Sequence, residues 1–84
     1  MTDKVRKKIL ELARKAGTEK TICPSEVARN LWPDDWRPHM EEVRQVAVEL
    51  RDAGEIEISQ KGVAVKESEF VGPIRLRITS RNTS

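Results

Sequence analysis

Three arginines recur at seven-residue intervals near the middle of the chain, and guanidinium groups spaced in this way suit the recognition of phosphate. They are Arg37, Arg44 and Arg51. On a helix of about 100° per residue, they fall within about 40° of one another. Arginine donates bidentate hydrogen bonds to phosphate and to the edge of guanine. The spacing predicts a nucleic-acid contact; the alternative is that the arginine stems pack against the core and the charges pair with Glu41.

Three further cations lie in the C-terminal third of the chain. Lys61 occupies a predicted hairpin turn, from which it could reach a phosphate. Arg75 and Arg77 alternate with apolar residues, so they share one side of a predicted strand and are candidates for binding a small anion. The alternative for these two arginines is cross-strand pairing with Glu55 or Glu57.

Residue types for catalysis or metal binding are scarce. Cys23 precedes a predicted helix, where backbone amides can stabilise a thiolate, but it also suits a half-buried position at a helix cap. His39 is the only histidine, so one cysteine and one histidine cannot provide a zinc site. Asp34 and Asp35 have no evident nucleophile or oxyanion donor beside them. We therefore expect no enzyme activity, no metal and no cofactor.

Length and charge set further bounds. With 84 residues and a net charge of +2, the chain fits one domain, predicted over residues 1–79, with a disordered tail at 80–84. Residues 1–20 hold seven basic and three acidic side chains, residues 21–54 four and seven, and residues 55–84 five and four. The middle segment is thus acidic. No apolar run approaches the roughly 20 residues of a membrane span, so we expect a cytoplasmic protein.

Apolar periodicity predicts three helices. The first covers residues 3–16 and ends at Gly17, and the second covers residues 24–31, with Glu26 placed to reach back to its start. The third follows Asp34-Asp35 and ends at about Ala53. Its predicted buried stripe consists of Trp36, Met40, Val43, Ala47 and Leu50. All three helices are needed for the core, so a monomer is expected.

The period then changes from 3.6 to 2. Residues 56–58 and 63–65 alternate on either side of a turn at residues 60–62, which predicts a hairpin, and Ile74, Leu76 and Ile78 predict a closing strand. Three helices followed by a hairpin are the order of a winged helix-turn-helix, in which the hairpin is the wing. The fold class predicted is therefore α+β, with a small antiparallel sheet.

Several stretches carry a resemblance to a known family. They are Ile22-Cys23-Pro24-Ser25-Glu26-Val27-Ala28-Arg29, Asp35-Trp36-Arg37 with Met40 and Val43-Arg44, Leu50 with Gly54-Glu55-Ile56, and Gly72-Pro73-Ile74-Arg75-Leu76-Arg77. Over residues 22–77 the sequence resembles a small bacterial domain family of unknown function with a winged-helix fold. The resemblance implies this fold, but it implies no activity and transfers no site residue.

Two functions remain open at this point. One is a noncatalytic module that binds duplex DNA through Arg37, Arg44 and Arg51 on the third helix and Lys61 on the wing. The other is a winged helix used for protein–protein interaction without DNA binding, which the acidic middle segment favours. A third-helix surface dominated by acidic side chains would favour the second.

Overall fold

The computed structural model describes residues 2–67 and 72–79. Within these residues the helices are α1 (Thr2–Ala16), α2 (Pro24–Leu31) and α3 (Met40–Asp52), with a 3₁₀ turn at Arg37–His39 directly before α3, and the strands are β1 (Ile56–Gln60), β2 (Val63–Ala64) and β3 (Arg75–Ile78). The α+β class and the element order of a winged helix are confirmed. The predicted tail at 80–84 lies outside the described residues.

The strands form an antiparallel sheet with β1 in the centre. The order is β2-β1-β3, and the β1–β3 register runs from the pair Ile56 and Ile78 to the pair Ser59 and Arg75. On the other edge of β3, Ile22 and Leu76 exchange two backbone hydrogen bonds of 2.8 Å. The connection between α1 and α2 therefore joins the sheet, as a short first strand does in a winged helix.

The start of α2 follows from local chemistry. Pro24 occupies the first turn, where its missing N–H costs nothing. The Glu26 carboxylate accepts a hydrogen bond of 3.0 Å from the Cys23 backbone N–H, as the sequence predicts. These two features set the first residue of α2.

One side of α3 and the inner face of the sheet form the core. The buried apolar residues are Val5, Ile9, Ala13, Ile22, Val27, Ala28, Val43, Val46, Ala47, Leu50, Ile56, Ile58, Val65, Ile74, Leu76 and Ile78. The predicted stripe of α3 omitted Val46, which is 1% exposed, whereas Trp36 and Met40 are only half-buried. Val46 lies beside Glu49, which pairs with Arg6 of α1 at 3.8 Å. The buried arc is wider than predicted because α3 also packs on α1.

The turn between β1 and β2 defines the tip of the wing. Lys61 and Gly62 have φ values of 52° and 81°, and positive φ at both central residues is the requirement of a type I′ turn. Val65 is 7% exposed, whereas Val63, the other valine of the alternating run at residues 63–65, is 68% exposed. Val63 pairs with Gln60 at the end of the hairpin, where the tip extends past the edge of the core. The tip therefore presents Lys61 and Val63 to solvent.

Candidate nucleic-acid interface

Of the three arginines predicted on the third helix, Arg44 and Arg51 lie on α3, whereas Arg37 lies before it in the 3₁₀ turn. Arg44 and Arg51 are both directed at the chain that follows β2. Arg44 Nη2 donates a hydrogen bond to the Gly72 carbonyl at 3.1 Å. Arg51 Nη1 donates to the Val65 carbonyl at 3.1 Å and to the Glu67 carbonyl at 2.6 Å. These carbonyls belong to the wing segment, a name used here for residues 65–67 and 72. The arginines thus fix the wing segment against α3.

The N–H groups of Arg51 are largely engaged within the domain. Its Nε and Nη2 atoms donate to Asp52 Oδ1 at 3.2 and 3.1 Å, and its side chain is only 12% exposed. A guanidinium group has five N–H donors arranged in a plane. Because Nε, Nη1 and Nη2 of Arg51 all have acceptors within the domain, this side chain has little left to offer a ligand.

Arg37 is arranged differently. It lies in the 3₁₀ turn before α3, is exposed, and its guanidinium carbon is 4.8 Å from the ring centroid of Trp36. Arg29 of α2 lies over the same ring at 4.5 Å. We call Arg29, Trp36 and Arg37 the arginine–tryptophan cluster. Neither arginine forms an ion pair or a side-chain hydrogen bond with any other residue that the structure describes, so their N–H donors face solvent.

A second aromatic contact lies next to the cluster. The rings of Trp32, at the end of α2, and His39 are stacked at 3.6 Å with an angle of 4° between their planes. Lys4 Nζ lies over the Trp32 ring at 5.2 Å, and His39 Nδ1 is 3.6 Å from Glu42 Oε1. Both tryptophans are half-buried and pack against the core. They hold the corner between α2 and α3 in place.

The outward side of α3 is acidic. Glu41, Gln45 and Asp52 are exposed, and on a helical wheel they lie within about 40° of one another. Val48 lies among them and is half-buried. We call these four residues the outer face of α3. The side of a winged helix that usually enters the major groove therefore presents two carboxylates.

Lys61 stands at the tip of the wing, exposed and without an ion pair among the described residues. Lys66 is also exposed, further along the same connection. Glu57 faces solvent on β1 but is paired with Arg77 of β3, its cross-strand neighbour. The wing thus offers a solvent-facing cation at its tip, as the sequence predicts.

Arg75 and Arg77 both contact the connection between α1 and α2. Arg75 Nε donates to Thr21 Oγ1 at 2.9 Å, and Arg75 Nη2 lies 3.4 Å from the Thr21 carbonyl. Arg77 Nη1 donates to the Thr18 carbonyl at 3.2 Å, and Nη2 pairs with Glu57. The two guanidinium groups therefore point to different partners: Arg77 pairs with Glu57 across the strands, whereas Arg75 contacts Thr21.

Cys23 is half-buried at the start of α2, where its sulfur accepts a hydrogen bond of 3.1 Å from Ser25 Oγ. Over residues 2–67 and 72–79, no cluster of three or more histidine, cysteine, aspartate or glutamate side chains is arranged to hold a metal ion. In the same part of the chain, every helix is too short or too polar to cross a membrane.

Arg29 is the candidate contact that the sequence analysis missed. It lies on α2, whereas its ring partner lies beyond the turn, so helical periodicity within one element could not connect them. The available signal was the pair Trp36-Arg37, which follows a helix that ends two residues beyond Arg29. Trp36 could then have been considered as a ring shared by cations from both helices.

Comparison with known proteins gives a family. The match covers residues 2–79 and thus nearly the whole chain, and it is to a family described as "Protein of unknown function". No curated protein matches the chain. The resemblance noted in the sequence, to a small domain family of unknown function, is confirmed: the chain belongs to the family DUF3253.

Proposed function

We propose that this protein is a noncatalytic cytoplasmic module that binds duplex DNA, with the arginine–tryptophan cluster as its main contact. One observation carries the proposal: Arg29 and Arg37 lie over the ring of Trp36, 4.5 and 4.8 Å from its centroid, and have no acidic partner among the described residues. A guanidinium group over an aromatic ring keeps the N–H donors in its plane available for phosphate. The ring limits the motion of both groups, which lowers the entropic cost of binding.

The location of the cluster supports this function. In a helix-turn-helix, the N-terminal part of the recognition helix approaches the bases while the preceding helix crosses the phosphate backbone. Arg37 directly precedes α3, and Arg29 lies on α2. Lys61 at the wing tip would add a contact to an adjacent phosphate. Arg44 and Arg51, expected from the sequence to touch DNA, act in this proposal by positioning the wing segment.

The test is fluorescence anisotropy with a short labelled duplex over a range of salt concentrations. For the wild type, the logarithm of the association constant should fall with the logarithm of salt concentration, by about 0.9 per phosphate contact. The double variant Arg29→Ala/Arg37→Ala should weaken binding and reduce this slope by about 2.

The control is Lys20→Ala, which removes an exposed cation that has no ion pair in the described part of the chain. It should change the slope little, because Lys20 precedes the start of α2, whereas the corner between α2 and α3 follows the end of α2. Absence of duplex binding at low salt, or equal losses for Lys20→Ala and for each cluster arginine, would overturn the proposal.

The outer face of α3 favours a second candidate, a protein–protein interaction module that does not bind DNA. Two exposed carboxylates beside the half-buried Val48 suit a basic protein surface with a small apolar contact. Such a role predicts no DNA binding in the anisotropy assay. It also predicts a captured protein partner that is lost with Glu41→Lys/Asp52→Lys and kept with Arg29→Ala/Arg37→Ala.

A further inference from the structure

The cations available to a ligand lie outside the outer face of α3. Arg29 and Arg37 are at the N-terminal end of α3, and Lys61 is at the turn between β1 and β2. Phosphates line both sides of a DNA groove, whereas base edges are reached only from within it. The distribution of free cations therefore suits contact with the backbone rather than with the bases.

The two arginines best placed to read guanine are held by the protein itself. Arg44 donates to the Gly72 carbonyl and Arg51 to the Val65 and Glu67 carbonyls. Bidentate guanine readout needs two parallel N–H donors of one guanidinium group. Arg51 could supply them only by releasing the wing segment, which would leave two carbonyls without these donors.

The residues that remain on the outer face of α3 are poorly suited to a groove. Gln45 could pair with adenine, but Glu41 is one helical turn before it and Asp52 lies two turns after it on the same side. Bringing Gln45 to a base edge would bring these carboxylates toward the phosphates, where like charges repel.

Resting on the proposed function, we infer that the ligand is duplex DNA recognised by its phosphate backbone without regard to base sequence. The protein approaches the duplex through the α2–α3 corner and the wing tip. Glu41 and Asp52 face the groove without reading it, and they limit affinity through repulsion. Gln45 contributes no discrimination between bases.

The experiment is selection from a random duplex library by the full chain, followed by sequencing and by anisotropy with individual duplexes. We expect no enriched motif and dissociation constants that agree within about threefold among duplexes of different sequence, since phosphate contacts carry no sequence information. An enriched motif, with single base changes costing about 5- to 150-fold, would overturn the inference while leaving the proposed function intact. Failure to bind any duplex would overturn both.

Two variants of the outer face sharpen the test. Gln45→Ala should leave binding unchanged for every duplex. Glu41→Gln/Asp52→Asn keeps size and hydrogen bonding but removes two negative charges, so it should tighten binding to all duplexes by a similar factor. A loss of affinity in either variant, or a gain for one sequence alone, would contradict backbone recognition.

Discussion

Replacing Arg51 with alanine tests whether this arginine fixes the wing segment. The substitution removes hydrogen bonds from Nη1 to the Val65 and Glu67 carbonyls and a side-chain stem that is mostly buried, since the side chain is 12% exposed. Because Asp52 is exposed, its pairing with Arg51 should contribute less than about 1 kcal/mol. The bonds to the carbonyls should therefore account for most of the effect.

The magnitude follows from the two carbonyl bonds. A hydrogen bond from a charged group contributes about 1.5 to 3 kcal/mol. Water can replace the guanidinium at the exposed Glu67, so the pair contributes less than twice that value. We expect Arg51→Ala to lower the free energy of unfolding by about 2 to 3 kcal/mol. In a domain of this size, that loss corresponds to a melting temperature lower by about 10 to 20 °C.

The assay is urea and thermal unfolding followed by circular dichroism, with two matched variants. Arg51→Met keeps most of the stem and removes the guanidinium, so its free energy of unfolding should fall by nearly as much as that of Arg51→Ala. Asp52→Ala should cost less than about 1 kcal/mol. Ordinary surface substitutions change the free energy of unfolding by up to about 0.5 kcal/mol. If the value for Arg51→Met lies within that range of the wild type, the hydrogen bonds to the carbonyls do not stabilise the domain, and Arg51 does not position the wing segment.

Three other predictions concern the turn, α1 and the sheet. Lys61→Asn should raise the free energy of unfolding by up to about 1 kcal/mol, because asparagine tolerates the left-handed conformation that Lys61 adopts. The same substitution removes a cation and should therefore weaken DNA binding. A less stable variant would contradict the type I′ assignment. The hydrogen bond and the charge of Lys8 lower the pKa of Glu11, so the stabilising contribution of the Glu11 carboxylate is full above its unfolded-state pKa and disappears as pH falls through its folded-state pKa. Lys8→Ala should therefore raise the pKa of Glu11 measured by NMR titration. An unchanged pKa would exclude Lys8 as the cause. A double-mutant cycle on Glu57 and Arg77 should give a coupling energy of about 0.2 to 1 kcal/mol, and a value near zero would show that the pair does not stabilise the sheet.

Several features that depend on local sequence were predicted correctly. The bounds of α2, the contact from Glu26 to the Cys23 amide and the hairpin turn follow from residues within a few positions of one another. The inward alternation of Ile56 and Ile58 was likewise clear from period 2 alone. Such signals are local because capping, turn formation and strand alternation each involve neighbouring residues.

The features that depend on distant partners were not predictable. Arg44 and Arg51 have the spacing of a ligand-binding line, but their acceptors lie 28 and 14 to 16 residues away along the chain. Carbonyl acceptors leave no trace in residue type, since every residue carries one. The burial of Val46 likewise depends on where α1 packs against α3. The helical wheel of α3 alone gives no information about that contact.

The bridge between Ile22 and Leu76 has a consequence for how the chain folds. These two residues are joined by paired backbone bonds, and Arg75 and Arg77 add contacts from β3 back to Thr21 and Thr18. Closing the long loop between Ile22 and Leu76 carries an entropic cost, which is offset only when the complete core has formed. During synthesis, the apolar faces of the three helices therefore cannot be fully buried until β3 has left the ribosome. Folding of the complete domain should then proceed in a single cooperative step.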